Sequence, residues 1–401
     1  GSFLEQLDNY FCVTERDSTV GTEVRAGLVT FFTMAYILVL NAQILHLATT
    51  GAHAPMPFES VVTATALSSF LATLLTGLFA NLPFGLAPGM GLNSYFTYGM
   101  CLRLGMTWQQ GLACCFFCGL LFLLLSVTGA CTLVQLYVPA CVKKSITVGL
   151  GLFQALIGLE VAKVVVAGDE TLLQLGDLTD PRVVLSGAGL LLIAVLMVAR
   201  VKAAMIVGLA GITVASWSLG IQTAPTTLFA MPSLKNTIMQ MDFAGYFHNY
   251  HITVPITLII LFVCIFDTAG VQFALGHQGG LLDEHHNLPG AGAAFTAASV
   301  ATMAGACLGT SPVIIHNESC AGIEDGARTG LSSLVVAAGF LLILREAFGK
   351  RPIGTQPGTV LRIGFGVKNL REAASGLDPA THWQHPLPAA PAAGGETITL
   401  D

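Results

Sequence analysis

The chain is 401 residues long, 54% hydrophobic and 10% charged, with a mean hydropathy of +0.73, where a soluble domain carries roughly 25% charged residues. This composition excludes an ordinary soluble protein and describes an all-α polytopic membrane protein, because a helix satisfies its own backbone hydrogen bonds in lipid. The net charge of −6 comes without a basic stripe, so nucleic acid is excluded as a partner.

Residues 1–25 read as a polar N-terminal tail without the apolar run of a cleaved signal peptide. A short amphipathic helix is expected over Phe3 to Phe11, and Arg25 marks the membrane boundary. The first span is expected from Ala26 to Leu47 and the second from Val61 to Ala80. The third is broken: Asn81 to Phe96, NLPFGLAPGMGLNSYF, carries two prolines and three glycines, which disfavour a regular helix before about Gly91. A fourth span covers Gln110 to Val134. Pro139, Lys143 and Lys144 lead into a fifth, Ile146 to Val166. An acidic loop, 168–182, precedes a tight hairpin of Val183 to Ala199 and Ala203 to Leu219.

Residues 222–250 form a polar connection with amphipathic pieces such as Thr237 to Phe247. The eighth span, Ile252 to Leu275, contains Asp267, and the ninth is Ala291 to Cys307. The tenth holds GTSPVIIHNESCAGIEDGARTG, Gly309 to Gly330, in which Gly309, Ser311 and Pro312 resist helix formation. Extended backbone followed by a short helix is how transporters present polar groups near the bilayer midplane. An eleventh span starts at Leu331 and loses its apolar character at Arg345, leaving about 15 residues, short of a full crossing. Residues 345–401 read as a disordered tail. With a cytoplasmic N-terminus, Lys143, Lys144, Arg200, Lys202 and Arg328 fall inside and the acidic loop outside; the basic residues of the tail contradict that orientation if the last segment crosses.

Laying Gly85-Leu-Ala-Pro88 over Gly309-Thr-Ser-Pro312 brings Asn93 onto Asn317 and Ser94 onto Glu318. Two apolar spans precede each motif, which suggests paired interrupted helices in two halves of an inverted repeat, with substrate between them. Within these segments Glu318 and Asp267 are the strongest functional candidates, since a carboxylate among apolar residues is costly to hold. A solvated helix end for Glu318, and an ion pair or helix cap for Asp267, are the structural alternatives. Asn93 carries the donor and acceptor needed to read a planar nitrogen base, or else it packs between helices. Phe96, Tyr95 and Phe84 are candidates for stacking, and Thr33 and Tyr36 for lining the same cavity.

The ten cysteines, among them Cys101, Cys114, Cys115, Cys118, Cys131 and Cys141, read as small packing residues. Asp283, Glu284, His285 and His286 resemble a metal site, but adjacent histidines face different ways on a helix, so a solvated loop and no metal are expected. There is no phosphate-loop pattern to support ATP, no cofactor motif, and no nucleophile and base pair to support an enzyme.

TEVRAGLVTFFTMAYIL, GLAPGMGLNSYF, FDTAG and GTSPVIIHNESCAGIEDGARTGL together resemble the signature segments of the AzgA-like purine permeases, in the nucleobase-cation symporter-2 or nucleobase-ascorbate transporter superfamily. The resemblance runs from about Tyr10 to Leu344. It implies an inverted-repeat (7+7) transporter fold with core and gate domains and short extended segments in the broken third and tenth spans. On that plan residues 26–135 (spans 1–4) and 251–344 (spans 8–11) belong to the core and 136–221 (spans 5–7) to the gate, with the last three spans absent. It further implies proton-coupled uptake of adenine, guanine or hypoxanthine across the plasma membrane, commonly by a homodimer, driven by the proton gradient with no cofactor.

Carried over by motif, the substrate positions fall on Asn93, Asp267 and Glu318, with Asn317 and Phe96 beside them. Glu318 is assigned to hydrogen bonding of the purine, and both carboxylates to proton coupling; backbone amides after Pro88 and Pro312 are expected to add contacts. FTAASVAT around Ala298 and IIHNES, Ile314 to Ser319, depart from the family pattern, which bears on coupling and selectivity. Two other readings remain open at this level: a truncated, non-transporting regulatory or structural subunit, and an anion transporter of the same general fold.

Overall fold

The computed structural model describes residues 3–48, 56–131, 173–199, 204–221, 236–284 and 287–348, with scattered positions between 145 and 166 and at 201 and 234. The expected amphipathic helix is present as α1 (Phe3–Phe11). The first span begins earlier than its hydropathy indicates, as α2 (Val20–Met34), because the Thr19 hydroxyl accepts the Thr22 N–H at 3.2 Å and caps the helix. The segment before it packs rather than trailing: Phe11 and Val13 are buried with Leu331. The Arg16 guanidinium donates to the carbonyls of Asn81 at 2.7 Å and Arg328 at 2.9 Å.

The span breaks at Ala35 and Tyr36 before resuming as α3 (Ile37–His46). Helix α4 (Phe58–Leu75) continues as a π-helical turn, Thr76–Ala80, and stops at Asn81 in the left-handed region, φ 49°. The Asn81 carboxamide then accepts from Gly330 N–H and donates to the Phe11 carbonyl, both at 2.8 Å. The third span is broken as expected, into β1 (Leu86–Pro88), α5 (Met90–Ser94) and a π-helical stretch, Tyr95–Arg103. Helix α6 (Trp108–Val127) opens on a capping box of Thr107 and Gln110 and ends before the expected Val134, where Gly129 takes φ +72°.

The expected fifth span is described only in part, and its last two positions form β2 (Val165–Val166), antiparallel to β3 (Gln174–Leu175) in the acidic loop. Asp180 then caps α7 (Pro181–Val198) by accepting the Arg182 N–H at 2.8 Å. Helix α8 (Ala204–Ser218) packs back on α7, giving the expected hairpin. Leu190, Leu191 and Val198 of α7 are exposed, as lipid-facing side chains would be.

The second half comprises α9 (Phe243–His248), α10 (Tyr250–Gln278), α11 (Ala291–Leu308), β4 (Val313–Ile315), α12 (Ser319–Glu324) and α13 (Gly330–Phe348). Arg345 does not end α13, which runs to 19 residues rather than about 15. Residues 349–401, most of the expected disordered tail, lie outside the described residues, as do Cys141, Lys143, Lys144, Arg200, Lys202, His285 and His286. Among the described residues six helical stretches are long and apolar enough to cross a bilayer: Val20–His46, Phe58–Ala80, Trp108–Val127, Pro181–Val198, Tyr250–Gln278 and Ala291–Leu308.

Strands β1 and β4 pair antiparallel, Leu86 opposite Ile315, Ala87 opposite Ile314 and Pro88 opposite Val313. Gly89 N–H donates to Pro312 O, and His316 N–H to Gly85 O, each at 3.0 Å. Bonded pairs therefore fall at 85, 87 and 89, and Pro88, which has no N–H, occupies a position that owes the ladder nothing. The outward backbone groups need other partners inside a membrane. One threonine from each half supplies them. The Thr73 hydroxyl donates to Leu86 O at 3.1 Å and accepts Leu86 N–H at 3.0 Å; the Thr302 hydroxyl treats Val313 O and N–H alike, at 3.1 and 3.0 Å.

The strands match each other three residues away from the proline-on-proline overlay. Asn93 accordingly lies inside α5, whereas Asn317 precedes α12. The core is built around this ribbon from Phe84, Leu86, Phe96, Phe122, Ile260 and Phe295, and Cys101, Cys114, Cys115, Cys118 and Cys131 are buried in it as free thiols, as expected. Helices α6 and α11 approach closely: a Cβ on Gly119 would lie 2.7 Å from the Met303 side chain.

Candidate functional site

The break in the first span, strand β1 and the turn between β4 and α12 meet around Glu318. Tyr36, at the interruption between α2 and α3, lies beside the second half. Its hydroxyl donates to Glu318 Oε1, and the Thr33 hydroxyl donates to the Glu318 backbone carbonyl at 3.3 Å. His316 Nδ1 lies 3.1 Å from Glu318 Oε2, and His316 Nε2 lies 3.2 Å from the Pro88 carbonyl of β1. A carbonyl can only accept, so Nε2 bears a hydrogen and one further proton occupies the contact between Nδ1 and Oε2. His316 is buried, its side chain 7% exposed, while the Glu318 side chain keeps 19% exposure. Helix α10 packs across β4, and Asp267 on it comes within electrostatic reach of His316.

The structure thus gathers Glu318, Thr33 and Tyr36, all singled out by sequence, in one cluster, with Asp267 in electrostatic reach of its histidine. It places the other candidates differently. Asn93 is fully buried, and its carboxamide oxygen accepts from the Ser311 hydroxyl, tying α5 to the start of the second-half motif. Asn317 is exposed, with its carbonyl accepting Cys320 N–H at 2.9 Å. Phe96 is 1% exposed and lies against Gly111 of α6, in the core.

His316 joins the cluster without having been a candidate; the only trace of it in the sequence is its place as a departure from the family pattern. Ser319, whose hydroxyl accepts Gly85 N–H at 2.9 Å, and Asn41, which donates to Thr65 Oγ1 at 2.7 Å and Thr310 Oγ1 at 2.9 Å, brace the same crossing.

Below the cluster two carboxylates hold the entry to α13. Glu23, fully buried in the first turn of α2, accepts Arg328 N–H at 2.8 Å and Thr329 N–H at 3.3 Å. Asp325 accepts from Arg25 Nε at 2.7 Å. Among the described residues no group of histidine, cysteine and acidic side chains could hold a metal ion.

Comparisons with known proteins place the chain among permeases. A family profile named Xan_ur_permease and described as "Permease family" matches residues 21–348. The guanine/hypoxanthine permease PbuO of Bacillus subtilis is 37% identical over 334 residues, 82% of this chain and 76% of that protein. The adenine permease AdeP of Escherichia coli is 35% identical over 360 residues, 89% and 79% of the two. Among solved structures, the transmembrane domain of the cyanobacterial bicarbonate transporter BicA superposes with a TM-score of 0.57 at 12% identity, covering 81% of this chain and 82% of that one. SLC26A9 superposes at 0.52 and 10%, covering 80% and 53%. These likenesses show the fold of a helical membrane transporter. The chain belongs to the xanthine/uracil permease family and is a multi-pass membrane transporter of the nucleobase permease type, not an enzyme.

Proposed function

We propose that this protein takes up purine nucleobases together with protons across the plasma membrane by alternating access, with Glu318 hydrogen-bonding the purine and Asp267 and Glu318 carrying the coupled proton. One observation carries the reading: a partly exposed carboxylate held where β1 and β4 cross, with a second carboxylate in electrostatic reach of its histidine partner. Relatives named as guanine/hypoxanthine and adenine permeases supply the substrate class. In this scheme spans 1–4 and 8–11 are the core of a 7+7 inverted repeat, the α7–α8 hairpin is part of the gate, and copies pair as homodimers. A carboxylate at the site disfavours an anionic substrate.

The test is uptake of radiolabelled adenine, guanine, hypoxanthine and uracil in cells lacking their own permeases. Purine uptake that collapses with a protonophore and in Glu318→Ala supports the proposal. Uracil-only uptake, or purine uptake indifferent to both treatments, overturns it.

A further inference from the structure

The hydrogens around Glu318 can be counted. Tyr36 O–H is spent on Oε1, His316 Nε2–H is spent on the Pro88 carbonyl, and one proton fills the contact between Nδ1 and Oε2. If that proton sits on the imidazole, Glu318 is a carboxylate with lone pairs only. If it sits on Oε2, it points at Nδ1 and is equally withheld from anything entering the site. In both cases Glu318 offers a ligand acceptors and no donor. Asp267, from α10, is the other titratable group in electrostatic reach of His316, and the Pro88 carbonyl accepts from its Nε2.

We infer that His316 makes this site selective for 6-oxopurines, bases that present a lactam N1–H to Glu318, over 6-aminopurines, whose N1 is an acceptor. Hypoxanthine and guanine place N1–H against the Glu318 lone pairs, and guanine adds its 2-amino N–H. Adenine can offer its amino group, but its N1 then faces a group with no hydrogen to give. A site built to pair a particular N–H rejects the analogue that leaves its polar groups unpaired, here by roughly ten- to hundredfold. An apolar residue at 316 would release the Glu318 proton to the ligand and allow the acid to pair with adenine, donating to N1 and accepting from the amine. The inference rests on the purine reading above and specifies which purines that site takes.

The experiment is equilibrium binding to the detergent-purified full chain, which needs no transport cycle. The ligands are hypoxanthine, guanine, adenine and 1-deazaadenine, which carries C–H where adenine has N1. Hypoxanthine and guanine are expected to bind at least about tenfold more tightly than adenine. 1-Deazaadenine should bind no more weakly than adenine, because N1 has no donor to lose. In His316→Phe the ratio of adenine to hypoxanthine affinity should rise about tenfold, and 1-deazaadenine should now fall behind adenine.

Adenine bound as tightly as hypoxanthine by the unaltered protein, or 1-deazaadenine bound more weakly than adenine by it, overturns the inference and leaves purine transport standing. An unchanged ratio in a folded His316→Phe protein also overturns it. Binding of no purine by the unaltered protein overturns both readings. The wild-type ligand series decides the matter if His316→Phe does not fold.

Discussion

Glu318, Tyr36 and His316 act as a set, and each substitution removes a different part of it. Glu318→Gln keeps the shape but replaces one acceptor oxygen by an NH2 group that cannot accept from a purine N–H. Purine uptake should fall by a factor of ten or more, with KM affected first. Tyr36→Phe removes one donor to a carboxylate that retains others, an effect of about 1 kcal/mol, read as a several-fold rise in KM. Coupling is read by the response to a protonophore: the purine uptake that Asp267→Asn retains should be insensitive to it.

Outside the membrane, Asp8 accepts Thr14 N–H and Thr14 Oγ1–H, both at 2.7 Å, and these bonds hold its carboxyl below the usual aspartate range. A depressed carboxyl contributes stability above its unfolded value and loses it as pH falls through the folded one. Protease sensitivity of the N-terminal segment should therefore differ between wild type and Asp8→Asn at neutral pH, and the difference should vanish in strong acid.

At the scale of elements, the two short strands depend on groups from neighbouring helices. Thr73→Val or Thr302→Val leaves a backbone N–H and a carbonyl of β1 or β4 without their partner, in a place water does not reach. Each should cost on the order of 1–3 kcal/mol, measured as a lower midpoint of thermal unfolding in detergent. Glu23→Ala removes the acceptor for the two N–H groups at the start of α13 and should cost about 1–2 kcal/mol. Glu23→Gln, which keeps one acceptor oxygen, should recover part of that.

The interrupted spans were legible here, because Pro88 and Pro312 cannot continue a helix and the glycines around them do not favour one. The interruption of the first span was not. Ala35 and Tyr36 are ordinary helix residues, and the break is visible only once Tyr36 is seen bonded to Glu318. The correspondence between β1 and β4 was also hidden, since two prolines at matching spacing align in sequence but Pro88 ends β1 whereas Pro312 precedes β4.

For the whole molecule, the pairing of β1 with β4 joins halves of the chain more than 220 residues apart. Leu86 and Ile315 face each other at a non-bonded position of the ladder, where Cα atoms come within disulfide range. If both strands travel in one rigid core during transport, Leu86→Cys with Ile315→Cys should cross-link under oxidation without abolishing purine uptake. Loss of uptake on oxidation, restored by reductant, would show that the strands separate in the cycle.

Sequence by itself determined the membrane class, the broken third and tenth spans, and the costly carboxylates Glu318 and Asp267, since composition, helix-breaking residues and charge in apolar surroundings are local properties. It also pointed to Thr33 and Tyr36 as neighbours of the site. Only the tertiary structure decided which polar residues meet. It buried Asn93 on Ser311 and Phe96 on Gly111, left Asn317 exposed, and set His316 between Glu318 and the Pro88 carbonyl. The reason is geometric: a histidine is a proton holder only when a carboxylate and a carbonyl stand on its two nitrogens, and here they come from different halves of the chain.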